Sequence, residues 1–370
     1  MIYHIYWGTA GNAGLYLDEI YQALKKVGYQ QKAFVSYYYP FDYGEKIFFK
    51  RTEMEHSQYK GGLRKMLQAV ELIAALIKIY ISVKKDNPEI INYSYVSSGN
   101  VIILHFLKKM KKACNCKLVI TCHDVVPFAK NKKVYESELL IKKQIYAQAD
   151  YYLIHNENSR NDLHKLFKIE DNRVLMHPFP LMDLSKLDAT SNNEPTQFDF
   201  LFIGQMRREK GIDILVEAWK LFHSKYPSLK LCIAGNPNYY KDYFIEKDAL
   251  CRNINIVLKL GFVKDEDYAH IVKSARCVVF PYIAGTNSGV ISTVISLRRD
   301  IITSNIDMFS NNPLVPVKNM FVAGDINSLL KKMEEYENGV LDFENEEKIE
   351  KYREEFNEKV KNVYSNMLVK

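Results

Sequence analysis

The chain has no long uninterrupted apolar run. The longest, Met66 to Val83, is broken by Gln68, Glu71 and Lys78, which argues against a membrane-crossing helix. Cysteine is sparse: six residues among 370, none in the paired spacing of a zinc site, with Cys114-Asn-Cys116 lacking a second pair. Reduced thiols in the cytosol are the simplest expectation. No Gly-x-Gly-x-x-Gly loop is present, which removes the usual dinucleotide fingerprint. No Asp-x-Asp element closes a strand near either candidate phosphate loop, so no metal is expected. The N-terminus enters the strand-like Ile2-Tyr-His-Ile-Tyr6 with no charged leader or cleavage site, and export by a signal peptide is not expected. Internal repeats and low-complexity tracts are missing as well.

What is present is a soluble globular composition, 47% apolar and 26% charged, on a chain long enough for two cores. The net charge of +7 is lopsided: residues 1–185 hold 26 Lys and Arg against 18 Asp and Glu. Such a front half can attract phosphates, nucleic acid or an anionic membrane face. Met66 to Val83 is flanked by Lys60, Arg64, Lys65, Lys84 and Lys85, and Lys108, Lys109, Lys111 and Lys112 follow. This segment reads as a sheet-packed helix with solvated lysines, with a membrane-surface helix left open.

Strand and helix patterns alternate along the chain, which predicts parallel α/β sheets. The first strand runs into Gly8-Thr-Ala-Gly-Asn-Ala-Gly14 and an amphipathic helix from Leu15, a loop suited to close ligand approach through Gly11, Asn12 and Gly14. Val119-Ile-Thr-Cys-His-Asp124 is a strand ending in polar residues. Residues 184–197 are polar and rich in turn formers, the best linker. The pattern then restarts, giving domains at 1–183 and 198–343 and a charged helical tail at 344–370 expected to return to the first domain.

The second domain holds the strongest signal. An apolar strand over 198–203 ends at Gly204, a helix begins at Ile212, and Arg207, Arg208 and Lys210 lie between, closed by Gly211. Free N–H groups and the helix dipole favour anions at such a place. A second strand, Cys277 to Tyr282, leads into Ala284-Gly-Thr-Asn-Ser-Gly-Val290 and repeats the arrangement. Two anion loops in one domain suit a diphosphate.

Gly204-Gln-Met-Arg-Arg-Glu-Lys-Gly211, Leu231-Cys-Ile-Ala-Gly-Asn-Pro237, Gly261-Phe-Val-Lys-Asp-Glu-Asp267 and Phe280-Pro-Tyr282 with Thr286-Asn-Ser-Gly-Val290 resemble the donor half of retaining glycosyltransferases of family 4, the glycosyltransferases group 1. Ala149 to Glu157, with Ser159 and Arg160, is similar to that family's strand–helix signature in the front half. The resemblance implies a GT-B fold, two Rossmann-like parallel-sheet domains facing a cleft. It implies a hexosyltransferase moving a sugar, with retention, from a nucleoside-diphosphate donor to a glycan or lipid-linked acceptor in surface polysaccharide synthesis. No cofactor, metal or nucleic acid is implied, and the setting is cytoplasmic, with peripheral contact to the inner membrane face left open.

Residue by residue, His123 stands where such enzymes carry an active-site histidine, beside Asp124. Gly204, Arg207 and Lys210 would meet the diphosphate, Arg207 and Lys210 as catalytic cations. Thr286, Asn287, Ser288, Gly289 and Val290 would form a serine-glycine variant of the second phosphate loop. Thr286 and Val294 stand where the family has two spaced glutamates. Two other readings therefore stay open: a catalytically silent GT-B subunit that binds a sugar nucleotide or a partner, and a GT-B sugar-nucleotide epimerase.

Overall fold

In the computed structural model, residues 1–8, 13–53, 57–94, 101–126, 132–184, 195–237, 240–285, 288–341 and 346–369 are described. Among them the apolar runs lie buried on both faces, as parallel strands do when helices cover each side of a sheet. The first part of the chain comprises β1 (Ile2–Tyr6), α1 (Ala13–Lys26), β2 (Gln31–Ser36), β3 (Glu45–Phe48), α2 (Gly61–Asp86), β4 (Ile90–Tyr93), α3 (Val101–Ala113), β5 (Lys117–Thr121), α4 (Lys132–Tyr146), β6 (Tyr151–Ile154), α5 (Glu157–Asp162) and β7 (Val174–Met176). The second comprises β8 (Phe198–Ile203), α6 (Ile212–Lys225), β9 (Leu231–Gly235), α7 (Lys241–Asn253), β10 (Ile256–Leu260), α8 (Asp265–Lys273), β11 (Ala275–Phe280), α9 (Gly289–Ser296), β12 (Asp300–Ser304), α10 (Asp307–Ser310), β13 (Met320–Phe321) and α11 (Ile326–Glu337). A last helix, α12, spans Glu346–Val369.

Two sheets result, ordered β3-β2-β1-β4-β5-β6-β7 and β10-β9-β8-β11-β12-β13, with parallel pairing throughout. This is the expected pair of parallel-sheet α/β domains. The chain divides into one unit of residues 1–180 and 354–370 and another of 181–353. Strand order reverses between β1 and β4 in the first sheet and between β8 and β11 in the second. Loops at the carboxyl ends of strands flanking such a reversal splay apart and leave room for a ligand.

Local chemistry explains the elements. α6 buries Ile212, Leu215, Val216, Ala218, Trp219 and Phe222 on one face, and the Trp219 indole N–H is satisfied by the Ile254 carbonyl at 2.6 Å. α5 begins at Asn156, whose side chain accepts the Ser159 N–H at 2.8 Å. The tail helix α12 is held in the first unit by Phe356, Val360 and Tyr364, and Asn92 donates to the Tyr364 hydroxyl at 2.9 Å. The reduced-thiol expectation is corrected at one place: Cys114 and Cys116 are joined as a disulfide where α3 turns into β5, and Cys122, Cys232, Cys251 and Cys277 remain free and buried.

Candidate functional site

The switch point of the second sheet collects the cationic loop and the second phosphate loop. Phe200 and Leu201 of β8 pair with Cys277 and Val278 of β11, so the segments leaving these strands emerge side by side. After β8 the chain makes a single 3₁₀ turn, Arg208–Lys210, and Gly211 caps it with φ +61°. A Cβ on Gly211 would run into the Pro281 carbonyl. The two loops are also stitched directly: the Ile283 N–H donates to the Glu209 carbonyl at 2.9 Å, and Val290 lies beside Gly204. A third loop closes in from β9, where Gly235, at φ +134°, leaves no space for a Cβ against the Gly204 backbone.

The side chains follow from that frame. The Lys210 ammonium sits 3.6 Å from the centre of the Tyr282 ring, a cation–π seat that fixes a flexible side chain. Arg207 is ion-paired with Glu209, its Nε 2.7 Å from the carboxylate, which ties the guanidinium to the same turn. Tyr282 is buried, and burial raises its phenol far above the usual range, while Ser288 and the Arg207 charge pull the other way. Ser288 is the N-cap residue of α9, and Gly289 and Val290 form its first turn, where no acidic side chain competes for the free N–H groups. Gly204, Arg207, Lys210, Ser288, Gly289 and Val290 thus share one switch point. Thr286 and Asn287 lie outside the described residues. Val294, the position at which the resemblance implies a glutamate, is fully buried.

In the first unit, His123 follows β5 and its ring lies in an aromatic cluster. Tyr16 meets it edge-on at 4.5 Å, and His155 is 5.6 Å away. His155 stands 4.9 Å from His177, whose Nδ1 pairs with the Pro178 carbonyl at 2.9 Å. Burial, helped by the neighbouring His177, pushes His123 down from its ordinary 6.5 to about 4, so the ring is neutral near pH 7. Asp124 is exposed, and its backbone carbonyl accepts from Lys142. Gly14 is packed under Tyr39 and Pro40 in the first turn of α1, while Gly11 and Asn12 lie outside the described residues. Among the described residues, no group of three or more His, Cys, Asp or Glu is placed to hold a metal ion.

The sequence reading overlooked Tyr16, Glu209 and Tyr282 as site residues. Tyr282 had a signal, since it closes the Phe-Pro-Tyr segment that leads into the second loop. Glu209 and Tyr16 had none, because pairing with Arg207 and proximity to His123 arise only on folding.

The histidine cluster carries a stability consequence. His123 and His177 are both lowered to about 4 by burial, and His155 is lowered further. The unfolded chain then binds more protons than the native one between pH 6.5 and 4. Their stabilising contribution is complete above 6.5 and is lost as pH falls toward 4, at roughly 1–3 kcal/mol per ring. Urea midpoints should fall steadily across that window, and a flat profile would mean that the folded rings protonate as freely as the unfolded ones.

Residues 185–294 match the family model described as glycosyl transferases group 1. An uncharacterized glycosyltransferase of Methanocaldococcus jannaschii is 23% identical over 309 residues, covering 79% of this chain and 73% of that protein. The sucrose-phosphate synthase of Thermosynechococcus elongatus superposes with a TM-score of 0.61 at 15% identity, covering 100% of this chain and 96% of that one. Anabaena HepE, solved with UDP and glucose, gives 0.60 at 11% identity over 98% and 96% of the two chains. With its two parallel α/β sheets on a GT-B fold and a glycosyl transferases group 1 domain over residues 185–294, the chain is a glycosyltransferase.

Proposed function

We propose that the enzyme moves a hexose-type sugar from a nucleoside-diphosphate donor, with retention and without a metal, to a glycan or lipid-linked acceptor in surface polysaccharide synthesis at the inner face of the membrane. The observation that carries the donor side is the convergence of Arg207, Lys210 and the α9 N-terminus at one switch point. As the glycosidic bond to the diphosphate breaks, negative charge grows on the leaving phosphate oxygens. Arg207 offers a fork to two of them, Lys210 a point charge, and the Ser288–Val290 backbone its free N–H groups. These groups supply the positive charge that a divalent ion provides elsewhere.

His123 takes the sugar side in this reading. A neutral, half-buried imidazole can hydrogen-bond a sugar hydroxyl without adding a resident cation next to an anomeric centre that turns positive. Thr286 and Asn287, with Ser288, are assigned to the ribose and sugar hydroxyls, and Gly11, Asn12, Gly14 and Asp124 to the acceptor side.

The test is a panel of nucleotide sugars, read first as melting-point shifts and then as donor hydrolysis or transfer in EDTA. A ligand bound only by the native state raises the melting point, and turnover should persist without added metal. Activity that vanishes in EDTA and returns with Mn²⁺ would refute the metal-independent mechanism. The buried Val294 favours a second reading, the catalytically silent subunit: a melting shift with no turnover on any donor would establish it.

A further inference from the structure

The helix α2 has two apolar faces, and the fold uses only one. Leu72, Ala75, Leu76, Ile79 and Val83 are buried in the core of the first unit. Leu63, Met66, Val70, Ile73, Ile77 and Ile81, spaced three and four residues apart, form a continuous stripe on the helix surface with 44–61% of each residue exposed. Scattered exposed apolar residues need no explanation, but a stripe along most of a 26-residue helix does. Beside it, between α2 and α3, lies a groove of about 820 Å³ lined by Ile73, Ile77, Tyr80, Val101, Ile102 and Phe106. Lys84, Lys109 and Lys112 also line this groove.

The charges on these two helices point to one kind of partner. α3 contains no acidic residue. The two on α2 are both engaged by the protein: Glu71 accepts from the Arg51 N–H at 2.9 Å and from Thr52, and Asp86 accepts from Tyr3 and Lys32. Lys84, Lys109 and Lys112 are exposed. A groove whose described lining carries Lys84, Lys109 and Lys112 and no carboxylate, beside an apolar stripe, matches an interface of acyl chains under anionic headgroups. A second copy of the chain fits poorly, because a two-fold contact would set this basic face against itself. Among the described residues α2 is the one helix long and apolar enough to cross a membrane, but its inner face is committed to the core of the unit.

We propose that α2 lies in the plane of an anionic phospholipid surface, and that the α2–α3 groove seats one acyl chain of an anionic phospholipid whose phosphate meets Lys84, Lys109 and Lys112. This deepens the acceptor side of the function proposed above, and rests on it only for the identity of the acceptor. A lipid-borne acceptor would then be met by a protein already held at its surface.

The experiment is flotation of the full chain with vesicles of phosphatidylcholine alone or mixed with phosphatidylglycerol. The chain should float with the mixed vesicles, less so as salt rises, and stay behind with the neutral ones. Replacing Lys84, Lys109 and Lys112 together by alanine should weaken partitioning on the order of a hundredfold. Ile73→Ser with Ile77→Ser should weaken it while far-UV circular dichroism and the melting point stay as in the parent, since both side chains are exposed. The emission of a Val101→Trp variant should be quenched by anionic lipids brominated on their acyl chains. Equal binding to neutral vesicles, unaltered binding by the lysine or isoleucine variants, or no quenching would overturn the proposal. So would a dimer in light scattering that the isoleucine variants abolish. Failure here leaves nucleotide binding and EDTA-resistant turnover intact, because those readouts report the second unit.

Discussion

Lys210→Ala is expected to lower kcat by about two to three orders of magnitude, the effect of removing about 2–4 kcal/mol of transition-state stabilisation. The size follows from where the ammonium is held. A lysine on an arbitrary turn must be collected from many rotamers before it meets a phosphate. Here the 3₁₀ turn fixes its backbone, with the Lys210 N–H on the Arg207 carbonyl at 2.9 Å, and the Tyr282 ring holds the ammonium at 3.6 Å. The charge is therefore in place before the leaving group develops its own, which is the condition for an electrostatic effect on rate rather than on binding alone. Arg207→Ala should have a similar effect, and Arg207→Lys should recover little of it, because a point charge cannot reproduce the fork that Glu209 orients through Nε. Both alanine variants should also lose part of the melting shift produced by a nucleoside diphosphate. Full turnover in both would remove this loop from the chemistry.

The loops around these cations were legible in the sequence because their signals are local. The run Phe198–Ile203, the glycine that ends it and the periodic apolar residues from Ile212 specify a strand, a turn and a helix within a short window. The expected strand over 198–203 matches the observed element to the residue, and the expected helix begins at Ile212 as read. β2, β3 and β4 are short; β2 and β4 take their places beside β1 by pairing with residues dozens of positions away, and β3 lines up on β2, which no window reveals. The outer face of α2 was obscure for a related reason. Its composition fits a buried helix as well as a surface one, and only packing against the core decides which apolar residues are left outside. The histidine cluster joins residues 123, 155 and 177 from separate strand ends, so the sequence offered His123 as an active-site candidate but gave no sign of the two rings beside it.

Gly211→Ala should be among the most damaging single methyl groups that can be added to the second unit, with an expected cost of about 2–5 kcal/mol. Two penalties combine. At φ +61° an alanine pays the left-handed cost that glycine avoids, about 1–2 kcal/mol. The new Cβ would also meet the Pro281 carbonyl, a backbone atom that cannot rotate away. Relief requires the β8 and β11 loops to move apart, and that breaks the bond from the Ile283 N–H to the Glu209 carbonyl. Gly339 separates the two penalties: it has φ +70° with nothing within 4 Å of its would-be Cβ, so Gly339→Ala should show the conformational cost alone. The comparison is made in urea midpoints of the two variants against the parent. A Gly211→Ala chain that remains folded at low temperature should also lose its response to nucleoside diphosphates, because the same displacement separates Lys210 from Tyr282 and both from the α9 N-terminus. Equal destabilisation by the two substitutions, with nucleotide binding kept, would show that the loops tolerate separation and that the close approach at Pro281 is not what builds the site.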